Sequence, residues 1–478
     1  MAETTTGHLV GRVGAEVTAP DLAGNLFPVA DELDVADCPV TGRLPDGLLG
    51  AFVRNGPNPM FTPIGNYHMF DGDGMLHGVT FDDGRVSYRN RWIRSRGLGA
   101  EIAHGDAVYR GLGEVLEFPD PALTGDAGPV KNPANTHIVA HAGRWLALWE
   151  GGLPTEVTPD LATVGEYDFG GALAGSMTAH PRLDPRTGEM AFFGYSVLSP
   201  SFSYHEVDAE GVLRHSIDLD LPAPVMMHDM VLTEDYAVFL DSPVVFDVAN
   251  IGKGPLVQWL PENGTRIGVL PRGGAPADTI RWFEIEPGHV QHFWSGWNDG
   301  GHVEFWGSRF DAPDFGIGEE GDPRADAAAG RPARFWVDLD AGTAGWEEVD
   351  DLPGDFNRIN ADLDGVEVRH LYMASSLEPG RRLGDFDAVV KYDRATGGRT
   401  EWRSGPAGHV GESVFAPDPG GAAEDDGWLL NAVYDAQRDT SDLVVLDARD
   451  LTAGPVATVH LPRRVPFGFH ANWFPAEG

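Results

Sequence analysis

Short segments in which apolar and polar residues alternate recur along the chain, and each stops at a cluster of turn formers. RWLALW, EMAFFGYS, YAVFLD, HVEFWGSRF, ARFWVDLD and DLVVLDA are such segments, with DPRTGE, NDGG and DPGG as punctuation. A period of two puts successive side chains on opposite faces of a sheet, so the pattern predicts strands. Long helical periodicity is nearly absent, and the 62 glycines and 36 prolines serve as breaks between strands rather than as low-complexity tracts. Strands in such number, spread evenly to both ends without a linker-like break, predict one all-β domain over residues 1–478. A propeller or large barrel suits them better than a string of small sandwiches. No repeat motif sets the blade number, and residues 1–20 are expected to be a flexible lead-in.

Several function classes are disfavoured by composition. Acidic residues number 73 against 34 basic ones, a formal net charge of -39, which repels nucleic acid and anionic headgroups. The N-terminus MAETTTGHLVGRVGAE has no basic region followed by an apolar one, and no apolar run approaches the ~20 residues of a membrane-spanning helix. A cytoplasmic protein is expected, with no obligate protein partner evident. Cys38 is the only cysteine, so a metal would have to sit on nitrogen and oxygen ligands. One segment, Pro243 to Arg272, gathers Val244, Val245, Phe246, Leu256, Trp259 and Leu260 without clean alternation. It reads equally as a buried cap and as an exposed patch that touches a membrane or micelle.

Among 17 histidines, His180, His228, His292 and His470 share a setting at the ends of apolar strand-like runs. They lie too far apart in sequence for a finger-type metal site, and only a fold that converges strand ends could join them. The spacing leaves open both a shared metal site and four unrelated structural histidines. His205, His215 and His460 sit in ordinary strand or loop contexts and read as surface or core.

In these windows, and in LLGAFVRNGPNP, YHMFDGDGMLHGV, NTHIVAHAGRWLALWEGGLP, TAHPRLDPRTGE and RVPFGFHANW, the chain resembles the carotenoid cleavage oxygenase family over nearly its whole length. The resemblance implies a seven-bladed β-propeller with a loop and helix cap over an iron site. It implies one Fe(II) per chain on His180, His228, His292 and His470, which are then also the catalytic centre. Glu150, Asp355 and Glu412 match the acids that orient three of the imidazoles. Four neutral nitrogen ligands suit a first-row divalent metal and leave positions for O2 beside a substrate double bond.

The implied reaction is oxidative cleavage of a conjugated C=C bond of an apolar apocarotenoid or carotenoid into two carbonyl products. Phe70, Trp149, Gln291, Phe293 and Trp294 are the candidate substrate contacts. Two departures stand out: relatives usually read Glu-Phe-Pro-Arg where this chain has Asp355-Phe356-Asn357-Arg358, and Phe-His where it has Gln291-His292. Stilbene-cleaving relatives typically carry lysine where Trp149 stands, which favours an apocarotenoid, and the Gln291 amide points to one with a polar end. The alternatives are a stilbene or phenylpropanoid oxygenase, a non-oxidative retinoid-type isomerase, and a propeller that only binds.

Overall fold

The computed structural model of the protein describes residues 22–251, 253–313, 315, 317, 329–378 and 385–476. Residues 1–20, expected to be flexible, lie outside this set. Among the described residues the strands form seven antiparallel sheets of four or five strands, arranged as the blades of a propeller, plus one two-stranded hairpin. The innermost strands are His137–His141, Arg182–Leu183, Met230–Leu232, His289–Asp299, Gly354–Arg358, Gly408–Pro417 and Ala471–Pro475, and from Arg182–Leu183 onward each adjoins the next, with Ala471–Pro475 adjoining His137–His141.

Apolar side chains on the blade faces pack between neighbouring blades. Phe193, Phe202 and Phe239, for example, lie in one buried cluster that joins two blades. Burial of such rings, each contributing roughly 150–250 Å², is the main force holding blades together.

Both ends of the described chain close the ring. The last strand, Ala471–Pro475, pairs with Gly50–Pro57, while Val40–Gly42 pairs with Pro455–His460 in the preceding blade. At this seam the backbones of Gly56 and Gly468 touch: a Cβ on Gly468 would lie 2.8 Å from Cα of Gly56, so no side chain fits. Asn55 N–H donates to the carbonyl of His470 at 2.9 Å. The aromatic stretch before the last strand is thereby pinned, and His470 with it.

A cap covers one end. It comprises the helix Arg96–His104, the short helix Pro121–Thr124, the loops around them and the hairpin Val244–Phe246/Val257–Trp259. The half-buried Lys131 ties it down, with Nζ 2.9 Å from the buried Asp73 and 3.0 Å from the buried Glu101. The Pro243–Arg272 segment is therefore not an exposed patch. Val244, Val245, Phe246 and Leu256 are buried, Trp259 and Leu260 half-buried, and Thr265–Pro271 is a blade strand. Alternation is missing because the hairpin is covered on both faces.

Candidate metal centre

Each of the four histidines ends a connection and enters, or lies within, an innermost strand. His180 precedes Arg182–Leu183, His228 precedes Met230–Leu232, His470 precedes Ala471–Pro475, and His292 lies inside His289–Asp299. Converging strand ends bring one nitrogen from each within 4.8 Å of the others, with all four side chains buried. His228 Nε2 stands 3.0 Å from His180 Nε2 and 3.3 Å from His292 Nε2.

The tautomers follow from what lies behind the rings. His228 Nδ1 donates to Glu150 Oε2 at 2.8 Å, and His470 Nδ1 to Glu412 Oε1 at 2.9 Å. His292 Nδ1 stands 3.0 Å from Asp355 Oδ2. A carboxylate behind Nδ1 keeps the proton there and leaves the Nε2 lone pair free. Three lone pairs thus converge on one point, together with the imidazole of His180, and lone pairs cannot hydrogen bond one another. A cation satisfies them. Two imidazole nitrogens about 2.1 Å from one ion and at right angles are about 3.0 Å apart, which matches the closest pair. The donor set, nitrogen without thiolate, suits a first-row divalent ion.

The three acids differ in how they are held. Glu412 is the most enclosed: burial pushes its carboxyl up, but Arg358, with Nε 2.9 Å away, and His470 outweigh this and keep it ionised. It also accepts from Ala471 N–H at 2.7 Å, which fixes the last strand to the centre. Glu150 is joined by Tyr195, whose phenol is pushed up by burial and by that carboxylate. Asp355 reaches His292 through a bulge. Phe356 adopts φ +57°, the ladder shifts register between Asp355 and Arg358, and the Phe356 ring stacks on His292 at 5.5 Å. Burial pulls the His292 imidazole down, and Asp355 more than offsets it.

A cavity of about 990 Å³ opens onto this centre. Phe70, Trp149 and Gln291 line it, as do Phe356, Phe469, Met226 and Leu256. No lysine or arginine is among the described lining residues. A polar arm carries His205, Ser203 and Asp218, with Ser203 Oγ donating to Asp218 at 2.6 Å.

Two expected contacts do not line the cavity: Phe293 packs with Val231 and Phe305 between blades, and Trp294 is buried with its indole N–H donating to the Tyr372 carbonyl at 2.7 Å. The reason is a pair of bulges between Val290 and Gly296, which let Gln291 and His292 both face inward and turn the next two rings away. His205, expected at the surface or in the core, is buried in the strand Ser199–Val207 and borders the polar arm. His137 carried no signal beyond its place in a strand, but it starts an innermost strand, 5.1 Å ring to ring from His470, and its Nδ1–H donates to the Ala179 carbonyl at 2.8 Å. Burial, then His470 and Arg358, keep it neutral.

The chain is similar to several known proteins. Residues 26–475 match the family model described as retinal pigment epithelial membrane protein. A carotenoid cleavage oxygenase of Mycobacterium tuberculosis is 36% identical, over 96% of this chain and 98% of its own length. The crystal structure of lignostilbene dioxygenase from Pseudomonas brassicacearum superposes with a TM-score of 0.90 at 29% identity, covering 96% of this chain and 99% of that one. A cobalt-substituted Synechocystis apocarotenoid oxygenase superposes with a TM-score of 0.84 at 31% identity, over 94% and 97%.

Proposed function

The chain belongs to the carotenoid cleavage oxygenase family, and from that premise we propose that it is an Fe(II)-dependent dioxygenase cleaving a conjugated C=C bond of an apocarotenoid with a polar end. The observation that carries this reading is the convergence of His228, His292 and His470 lone pairs, with His180, at the inner end of a mainly apolar cavity. Ferrous iron on the four imidazoles supplies the activation of O2. The protein's own residues hold three ligands by Nδ1, exclude water with Phe356, Phe469 and Met226, and offer the Trp149 indole as a flat apolar face for a polyene. One oxygen atom enters each carbonyl product, so the atoms balance without a proton, and no general base is needed.

Trp149 and the absence of Lys and Arg from the described lining argue against a phenolate-binding site. The stilbene alternative draws its support from the 0.90 TM-score to a lignostilbene dioxygenase. Offering apocarotenals and hydroxystilbenes to the iron-loaded protein separates the two. A kcat/KM at least tenfold higher for stilbenes, about 1.4 kcal/mol in the barrier, overturns the apocarotenoid assignment. Turnover without O2 consumption would instead favour the isomerase. Incorporation of one labelled oxygen from O2 into each product tests the dioxygenase stoichiometry.

In this reading the enzyme is cytoplasmic and collects its substrate at a membrane or micelle surface. No helix among the described residues is long and apolar enough to cross a membrane. The support for surface contact is the cavity's rim, where Leu116, Phe118 and Leu198 are 48%, 57% and 69% exposed.

A further inference from the structure

Beside the centre, on the His292 side, lies a chain of three buried polar side chains that the reaction as written does not use. Ser242 Oγ is 2.8 Å from Nδ1 of His289, and His289 Nε2 is 2.9 Å from Oε1 of Gln291. Ser242 and His289 are each 2% exposed and Gln291 7%, and only Gln291 borders the cavity. Burial pushes the His289 imidazole down to about 4, so the ring is neutral and carries one N–H. With the serine hydroxyl donating to Nδ1, that N–H sits on Nε2 and donates to the Gln291 carbonyl oxygen. The amide NH2 then has no hydrogen-bond partner among the described residues, and Gln291 borders the cavity.

The location makes the arrangement more than a packing detail. Ser242 lies between the blade strand Tyr236–Asp241 and the cap hairpin strand Val244–Phe246, and His289 and Gln291 share an innermost strand with His292. The His289 ring is flanked by Phe310 and Phe315 at 6.3 and 5.9 Å. A buried polar chain of this kind has two self-consistent states, one with an amide donor towards the cavity and one, with every bond reversed, showing an acceptor. In the structure Oε1 is turned to His289, which selects the donor state.

We propose that Ser242 and His289 are positioning residues that lock the Gln291 amide, and that Gln291 is a specificity-determining residue donating an N–H to an acceptor oxygen of the substrate. The inference rests on the oxygenase reading above and narrows its substrate class to conjugated alkenes bearing a carbonyl, hydroxyl or ether oxygen. It also gives the Gln291 amide a role, since an unsubstituted hydrocarbon would leave that N–H desolvated and unpaired.

The test is binding, read by quenching of tryptophan fluorescence in the metal-loaded protein, with three matched ligands: an apocarotenol, its methyl ether and the corresponding deoxy polyene. The alcohol and the ether should bind alike and about five- to tenfold more tightly than the deoxy polyene. Gln291→Met should bring all three within about twofold, chiefly by weakening the oxygenated pair, and Ser242→Ala should remove part of the preference. Metal content is measured for each variant. Preference for the alcohol alone would show an acceptor facing the cavity and overturn the proposal, as would no preference or one that survives Gln291→Met. If Gln291→Met does not fold, the wild-type trio and Ser242→Ala decide. Oxygen-dependent binding without cleavage of any conjugated alkene would sink the oxygenase reading and leave the relay standing; cleavage without oxygen-dependent binding would do the reverse.

Discussion

Asp355 Oδ2 stands 3.0 Å from His292 Nδ1, yet neither that nitrogen nor Asp355 Oδ1 makes a well-directed hydrogen bond, whereas Glu150 and Glu412 meet their imidazoles in hydrogen-bond geometry at 2.8 and 2.9 Å. A side chain one methylene shorter has reached the ring only with the help of the left-handed Phe356, and it arrives off the N–H axis. The imidazole opposite Asp355 is therefore the least firmly oriented of the three that have an acid behind them. Orientation and basicity of a ligand come from such partners, so their loss typically costs on the order of 10 to 100-fold in metal affinity or activity.

Glu150→Gln and Glu412→Gln should each lower iron retention or activity by about that factor. Asp355→Glu should be mild or beneficial, because the added methylene relieves the reach. Iron remaining after dialysis against a chelator measures this. Wild-type retention in all three variants would remove the orienting role from these acids.

The metal itself gives the next expectation. Purified protein should carry about one iron per chain, and His228→Ala should abolish activity, since a lost ligand both opens the coordination sphere and loosens the ion. His228 also links the Glu150–Tyr195 pair to the centre, so the loss reaches the cavity wall. Elemental analysis decides: full occupancy by zinc with undiminished turnover, or iron-free protein that still turns over, is incompatible with the assignment.

Much of the fold was legible because a two-residue period and turn formers act locally, and each blade is built from hairpins whose strands are neighbours in sequence. Blade number was not, since it depends on how strands as far apart as Gly50–Pro57 and Ala471–Pro475 pair, and no repeat marks them. The four histidines could be picked out by setting, but their convergence is a property of the ring of innermost strands, and only family resemblance pointed to it beforehand. Nearness to His292 in sequence did not fix which neighbours line the cavity: the bulges around His292 turn Phe293 and Trp294 out of the cavity and keep Gln291 in it. The cap hairpin carried no alternating signal because both its faces are covered, and that absence read equally well as exposure.

Trp149 owes its pose to glycines. A Cβ on Gly151 would lie 2.5 Å from Cη2 of the Trp149 indole, a separation at which something must shift. Gly151→Ala should push the indole within the cavity and lower kcat/KM for an apocarotenal by roughly tenfold, about 1.4 kcal/mol, while iron content stays at the wild-type level. Steady-state kinetics alongside metal analysis check this; an unchanged kcat/KM would mean the ring plays no part in holding the polyene.

Membrane contact should map to the cavity's rim and not to the cap hairpin. Trp259 and Leu260 are half-buried, and Trp259 pairs with Val244, whose side chain is 1% exposed. Trp259→Ser combined with Leu260→Ser therefore removes packing from beneath the cap, and its expected signature is a lowered melting temperature of the protein. Phe118 and Leu198, more than half exposed beside the opening, lose little native packing when made polar, so Phe118→Ser combined with Leu198→Ser should leave the melting temperature within a degree or two. Each exposed apolar side chain transferred from water into an acyl layer contributes up to about 1.5–3 kcal/mol. Losing two should thus cut association with neutral liposomes by at least tenfold. Neutral lipid is the right probe, because the net charge of -39 would be repelled by anionic headgroups and mask the apolar contribution. Sedimentation with liposomes checks it: association unchanged in the rim variant but lost in the hairpin variant would move the contact back to residues 243–272.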